Sequence, residues 1–542
     1  MHNEVRVLIV GGGLVGLSLA VFLADQGVAA HVVERRPGTS ALPRGRSLNV
    51  RSMEVLSSAG LAPALHRAPA SVLRDFPEIA RARTLDGQET FHAVRPAPDS
   101  YARVSPTAPL MIDQNAVEPV LRAHASRLGC RLGFHTELRS FSQDMDGVTA
   151  HLFDRASGRT STVRAAYLVG ADGHHSRVRE ELGIGVDGGA ESTRYVSVPF
   201  GADLEPALRG RRLALCYLER PAAKTVLTRL DDPRRWVLMV PAEAAGDDPS
   251  DRMCASLVRQ AVGRDDVEIE LLRRDDVPLD RWELTSWVAR SYRDRRVLLA
   301  GDAAHVTPPA GGLGGNTGIQ DAHNLAWKLA AVLGGRAGGG LLDTYEAERR
   351  PVAVAAGAFS AASQRGRTGT GGAHAPGPVD PLAVALGYRY RSAAVAGDEG
   401  GGPAGSDPAP VARWDGEPGS RAPHVPLRRD GVPGSSLDLY RDRFVLLAGP
   451  GAGRWAEAVR QPGLPVPVRV HQVGADLDVE PDSWAEAHGV TGSGALLVRP
   501  DGFVCWRARG AAPADAAGRL AGVLRRALAL DAEPAASAGA RG

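Results

Sequence analysis

Residues 5–10, "VRVLIV", form an almost unbroken apolar run, the pattern of a buried strand. Glycines follow, then a helical pattern from about Val15 to Gln26, then a second strand, "AHVVER" (30–35). Strand, helix and strand in this order are a βαβ opening. A helix is expected at about 116–129, and alternating segments over 130–169 predict a meander ending in "AAYLVGADG". Residues 190–285 alternate as strands do, between turn signals "DDP" and "GDDPSD". They read as a sheet domain inserted between pieces of the first domain, to which the strand "RRVLLAGD" returns. In the helix after it, Ile319, Ala322, Ala326, Leu329 and Leu333 recur at helical spacing and predict one buried face. Residues 365–420 are rich in Gly, Pro and Ala and read as a linker around one ordered piece, "ALGYRYRS". Beyond it "RFVLLAG", "VRVHQV" and "GALLVRPDGFVCWRA" predict strands, with Pro500-Asp501-Gly502 as a hairpin turn. A helix is expected over about Pro513–Leu528, then a frayed tail, "EPAASAGARG".

A chain of 542 residues exceeds one ordinary domain, and three or so are expected. The net charge of +2 supplies no long-range field for nucleic acid or an anionic membrane. Lysine occurs only at Lys224 and Lys328, which reads as coding bias towards Arg. Cys130, Cys216, Cys254 and Cys505 form no C-x-x-C pair and no metal-ligand spacing, so they read as buried thiols in a reducing compartment. The apolar start could suggest a signal peptide or anchor. Three adjacent glycines interrupt it, no basic segment precedes it, and Asp25 and Gln26 follow, so strand, turn and helix fit better. The expectation is a soluble, cytoplasmic protein.

Gly11, Gly13 and Gly16 form G-x-G-x-x-G between a strand and a helix, where bare backbone and a helix N-terminus suit a pyrophosphate. Glu34 closes the second strand, placed to take the hydroxyls of an adenosine ribose. The similar "AGPGAG" (448–453) has Arg454 in place of the last glycine and no acidic strand end, so it is not read as a nucleotide site.

Two further motifs are local. "YLVGADGHHSRVRE" (167–180) puts Asp172 at a strand end before basic residues, which suits either a diphosphate or ribityl chain or the capping of the next helix. "GDAAHVTPPAGGLGGN" (301–316) offers Asp302 to a sugar or ribityl hydroxyl, stiffens at Pro308-Pro309, then presents glycines and a helix start beneath a flat ring. That helix start favours the negative edge of a reduced flavin.

The three motifs, in this order and separation, resemble the class A FAD-dependent aromatic monooxygenases, which share the p-hydroxybenzoate hydroxylase fold. "GDAAHVTPPAGGLGGNTGIQDAHNLAWKLA" and "LLDTYEAERRPVA" (341–353) closely resemble the branch acting on aromatic polyketides. The resemblance implies an α/β protein. A Rossmann-like FAD-binding domain would occupy 1–72, 103–180 and 286–364, and an inserted β-sheet substrate domain 73–102 and 181–285. A linker (365–420) and a thioredoxin-like domain (421–542) would follow. By the same resemblance Gly11, Gly13, Gly16, Glu34 and Arg35 would hold the ADP half of FAD. Arg44 would contact FAD, Gln114 the ribityl and phosphate region, and Leu138 adenine through its backbone. Asp172 would lie beside FAD and the path of NADPH, and Asp302 on the ribityl chain. Gly315 and Asn316 would hold the isoalloxazine through backbone N–H groups, with Pro309 near its C4a/N5 edge. His305 reads as structural, and His174, His175 and His323 as local or surface features.

The implied reaction uses NADPH, or NADH, as transient reductant and dioxygen as co-substrate. It hydroxylates a polycyclic phenol through a C4a-hydroperoxyflavin, in natural-product biosynthesis. The substrate is expected between the inserted sheet and the flavin, with Tyr217, Trp236, Met239, Pro241, Phe76 and Phe91 as candidate walls. No catalytic base is assigned, and the chain is expected as a monomer or homodimer. The tail has "AGPGAGRW" where a working thioredoxin carries C-x-x-C, so it reads as redox-silent and used for packing or assembly. Alternatives on the same fold are a Baeyer–Villiger oxygenase and an antibiotic-inactivating enzyme. Outside enzymes, the alternative is a catalytically silent FAD- or ligand-binding protein.

Overall fold

The computed structural model describes residues 3–40, 43–190, 192–246, 248–272, 279–369, 380–399 and 415–531. The strand Asn3–Val10 lies inside an eight-stranded sheet, with His31–Val33 parallel on one side and Thr160–Gly170 parallel on the other. Val297–Leu299 and Arg131–Gly133 extend it in parallel, and Thr136–Gln143 with Val148–Asp154 form the expected meander. Helices cover both faces, so Val7, Leu8, Ile9 and Val10 are all buried instead of alternating. The first turn requires glycine. A Cβ on Gly11, at φ +112°, would lie 2.1 Å from the Ala171 carbonyl oxygen, and one on Gly16 would lie 1.9 Å from that of Gly11.

A second eight-stranded sheet combines Glu78–Ala82 and Glu89–Val94 with strands from Thr193–Gly201 to Arg281–Leu284. Alternation divides its faces. Trp236, Leu238 and Val240 pack into a core shared with the helix Asp251–Val262, while Val237 and Met239 face a large cavity.

The C-terminal domain is thioredoxin-like. In its sheet Phe444–Ala448 lies between Val468–Gln472, parallel, and Ala495–Val498, antiparallel, with Val504–Ala508 beyond. Its last helix begins at Ala516, later than expected, because Asp515 caps it by accepting the Gly518 N–H; Pro513 stays outside. Burial pushes the Cys505 thiol up to about 12, and all four cysteines are buried. The described part of the linker packs closely. Tyr390 stacks on Phe503 with centroids 4.0 Å apart, and Gly397–Asp398 adds a strand to the C-terminal sheet. Residues 370–379, 400–414 and the tail 533–542 lie outside the described residues. Among those described, no helix is long and apolar enough to cross a membrane.

The helix Gly314–Leu333 departs from expectation: it is buried nearly all round, including Trp327 and Lys328. The C-terminal domain covers the face expected to meet solvent, with Trp327 and Ala331 in its core. Burying a lysine there requires a counter-charge. Glu348 accepts from Lys328 Nζ at 2.7 Å, from both Arg499 termini at 2.6 and 2.9 Å, from Asn324 at 2.7 Å and from Ser392 at 2.6 Å. Burial pushes the Lys328 ammonium down to about 8, with Glu348 opposing. Against its own burial, the Glu348 carboxyl is held below the usual range by Arg499 and Lys328. Glu348→Ala leaves the buried Lys328 without its hydrogen-bonded carboxylate and Arg499 with Asp501 alone, a loss expected to cost about 3–5 kcal/mol. The thermal unfolding midpoint should fall clearly, and an unchanged midpoint would contradict this reading of the domain contact.

Candidate active site

A cavity of about 2730 Å³ lies between the first sheet, the second sheet and the start of the helix Gly314–Leu333. Its wall includes Gly11, Gly13, Glu34, Arg35, Arg44, Gln114, Leu138 and Asp172, and also Asp302, Pro309, Gly315 and Asn316. Gly16 is set back, beneath the first turn. The Glu34 carboxylate is fixed at its strand end by the N–H groups of Gly12 at 2.8 Å and Arg36 at 2.9 Å. Gln114 opens its helix, and its backbone N–H donates to the Gly45 carbonyl at 2.7 Å, which ties down the loop carrying Arg44. The Leu138 side chain is in the core, so its backbone is the part turned towards the cavity. Asp172 braces the start of the next helix. It accepts from Ser176 Oγ at 2.5 Å and from the Val178 N–H at 3.2 Å, and Ser176 is the N-cap of the following helix. Burial raises its carboxyl above the usual range.

The stretch 301–316 is held from behind. Asp321 accepts from the Gly301 N–H at 3.2 Å, from His305 Nε2 at 2.6 Å and from Arg349 Nε at 2.7 Å. His305, Asp321 and Arg349 are fully buried, so His305 anchors the loop and does not face the cavity. Asp302, in contrast, opens into the cavity; enclosure by the surrounding walls raises its carboxyl, opposed by His305, His174 and Arg44. The Asn316 side chain accepts from the Asn49 N–H at 2.8 Å and donates to the Gly312 carbonyl at 2.7 Å. It braces the glycine loop and leaves its backbone for any ligand. The first bond of that helix runs from the Thr317 N–H to the Leu313 carbonyl at 2.7 Å. The N–H groups of Gly314, Gly315 and Asn316 precede it at the positive end of a 20-residue helix.

These features fit a dinucleotide flavin. A Cβ on Gly13 would meet only Glu118 Oε1, at 3.6 Å, and one on Gly312 only Ser47 Oγ, at 3.6 Å. Bare backbone therefore faces open space at both ends of the cavity, each end next to a helix N-terminus.

On the second sheet Tyr217, Val226, Met239 and Ser197 are successive cross-strand neighbours, and all four line the cavity. The other proposed walls are not on it. Trp236 is out of phase with Met239 and donates Nε1 to the Ala202 carbonyl at 3.3 Å. Phe76 lies under the Arg229 guanidinium at 3.7 Å. Pro241 is buried at its strand end, and Phe91 pairs with Arg81 on the outer strands. Reading the sequence missed Trp282, Gln364 and Arg367, which do line the cavity. The Tyr217 hydroxyl meets Gln364 Oε1 at 3.5 Å. Burial raises the Tyr217 phenol, and Arg367 beside it opposes the rise. Gln364 and Arg367 reach the sheet from the end of the long helix Asp343–Thr368, a juxtaposition no local pattern encodes.

Residues 4–360 match the FAD binding domain family, and residues 415–529 match the C-terminal domain of aromatic-ring hydroxylases. The chain belongs to the FAD-dependent aromatic-ring hydroxylases. Within that family it is 43% identical to the tetracenomycin A2 monooxygenase-dioxygenase of Streptomyces glaucescens, over 97% of each chain. It is 41% identical to a 4-methyl-5-nitrocatechol 5-monooxygenase from Burkholderia sp, over 93% of this chain and 94% of the relative. The crystal structure of aklavinone-11 hydroxylase with FAD and aklavinone superposes with a TM-score of 0.88 at 39% identity, covering 98% of this chain and all of that one.

Two of the three glycines in G-x-G-x-x-G, Gly13 and Gly16, should separate in mutation. Gly13→Ala has room and an extended backbone, so the fold should keep its thermal midpoint while FAD affinity falls. Gly16→Ala drives a methyl into the Gly11 carbonyl and should destabilise the protein itself. Equal behaviour of the two variants in flavin titration and thermal melting would refute the division.

Proposed function

We propose that this hydroxylase is an FAD- and NADPH-dependent monooxygenase that adds one oxygen atom to a polycyclic, polyketide-type phenol in natural-product biosynthesis. One observation carries the reading: two helix N-termini and the carboxylates Glu34 and Asp302 converge on a cavity whose far wall is a sheet face with Tyr217, Val226 and Met239. Glu34 would take the adenosine ribose, with Arg35 and Arg44 beside the phosphates. Gly11 and Gly13 would lie under the pyrophosphate, Gln114 beside the ribityl region, and Leu138 would present its backbone to adenine. Asp302 would hold the ribityl hydroxyls. Gly315 and Asn316 would donate backbone N–H groups to the ring, and Pro309 would wall its edge.

The bound flavin supplies the redox chemistry, taking electrons from NADPH and activating dioxygen. The chain's own groups position and shield. The N–H groups at the start of the helix Gly314–Leu333 favour negative charge at the ring's pyrimidine edge. Pro308 and Pro309 keep the loop stiff and carry no N–H there. The row of apolar side chains excludes water from the reacting ring. Tyr217, Gln364 and Arg367 set polar groups against that wall. The guanidinium favours a substrate oxygen that has given up its proton, so the phenol is held as the electron-rich phenolate.

NADPH oxidation by the FAD-loaded enzyme tests the function. A polycyclic phenol should accelerate it and gain one oxygen atom, whereas no stimulation by any such phenol would overturn the reading in favour of a silent flavin-binding protein. Asp302→Ala should fold and lose FAD on gel filtration, and a fully yellow, fully active variant would remove the ribityl assignment. Glu34→Ala should weaken FAD binding at the adenosine end; unchanged affinity would count against Glu34.

A further inference from the structure

Beyond the Ser197 end of the wall, opposite Tyr217, the sheet carries an aromatic pair. Tyr195 and Trp282 are direct cross-strand partners, stacked with centroids 4.7 Å apart and planes within 11°. Tyr195 is buried, and its hydroxyl donates to the Lys224 carbonyl at 3.1 Å. The indole Nε1 of Trp282 donates to Ser197 Oγ at 3.1 Å. The ring is thus fixed on one face by Tyr195 and along one edge by Ser197. It is only partly buried, and it lines the cavity. A cross-strand aromatic pair often serves only the sheet. Here its outer member is locked in orientation at the end of the wall Tyr217, Val226, Met239, Ser197. Three strand spacings separate Tyr217 from Ser197, about 14 Å at about 4.8 Å each. That span matches a linear system of three or four fused rings and exceeds any single-ring phenol.

We propose that Trp282 is a stacking shelf for the end of the substrate remote from the Tyr217–Arg367 pair, and that it selects flat, linearly fused phenols of three or four rings over single-ring phenols. The inference rests on the hydroxylase reading. The shelf would set the substrate's tilt, while Tyr217 and Arg367 hold the reacting phenol. An indole face offers dispersion and quadrupole contact to any planar ring system, so it recognises flatness and length without reading substituents.

The test uses FAD-loaded enzyme, with 1,8-dihydroxyanthraquinone as three-ring probe and catechol as single-ring probe. Binding is read from the perturbation of the flavin spectrum, and turnover from product and peroxide. Trp282→Leu should weaken anthraquinone binding about tenfold, the effect of losing one good aromatic contact. It should raise KM more than it lowers kcat and leave catechol binding unchanged. Trp282→Phe should restore most of the affinity. Ser197→Ala, which frees the indole edge, should weaken anthraquinone binding by a smaller factor and keeps the test open if Trp282→Leu does not fold. Equal changes for both probes, unchanged anthraquinone binding in every variant, or wild-type enzyme that binds anthraquinone no more tightly than catechol would overturn the shelf. If the binding pattern holds but no phenol stimulates NADPH oxidation, the hydroxylase reading fails and the shelf stands.

Discussion

The constraint behind the site is the buried carboxylate of Asp321. It takes a backbone N–H and an imidazole from the stretch 301–305 and a guanidinium from the long helix, all out of contact with water. Burial alone would raise its carboxyl, yet His305 and Arg349 hold it below the usual range. Such a cluster is weak evidence for stability, since apolar replacements can be as stable. Its use is geometric. A loop of glycines and prolines has few packing contacts of its own, and a fixed charge fixes where it starts. Asn316 does the same at the other end through Asn49 and Gly312. Between the two anchors the backbone is left bare.

The C-terminal domain extends this bracing. Arg349 donates to the Tyr390 hydroxyl at 3.1 Å, Tyr390 stacks on Phe503, and Glu348, one residue earlier, grips Arg499. A second clamp joins Glu54 to Arg421. The C-terminal domain, whose Cys505 thiol is buried, is joined to the rest of the chain by these packed and paired side chains. It closes the outer face of the helix whose N-terminus meets the cavity, so the seat and the domain are parts of one packed unit.

Much of this was legible in the chain. Strand, glycine turn and acidic strand end could be read because they are local and backbone chemistry dictates them. The stretch 301–316 was legible for the same reason. The faces of the inserted sheet were not: Met239 and Trp236 look alike as apolar strand residues, and only the period of two, once the register is known, sends them to opposite sides. Trp282 reaches the cavity from an edge strand, and Gln364 and Arg367 from the end of a helix some eighty residues later in the chain. The buried ion pairs were invisible too. Lys328 stands out in the sequence only as one of two lysines, with nothing to show that Glu348 meets it in the interior, and Asp501 reads only as part of a turn until its carboxylate is found paired inward with Arg499.

The account depends on a cavity that seats a flavin on one side and a flat phenol on the other, with water kept from between them. Turnover under isotopically labelled dioxygen tests this most directly, with a polycyclic phenol, NADPH and the FAD-loaded enzyme. The account predicts a product carrying one labelled oxygen atom as a new ring hydroxyl. Labelled oxygen inserted as a lactone, or label found only in hydrogen peroxide, would contradict it.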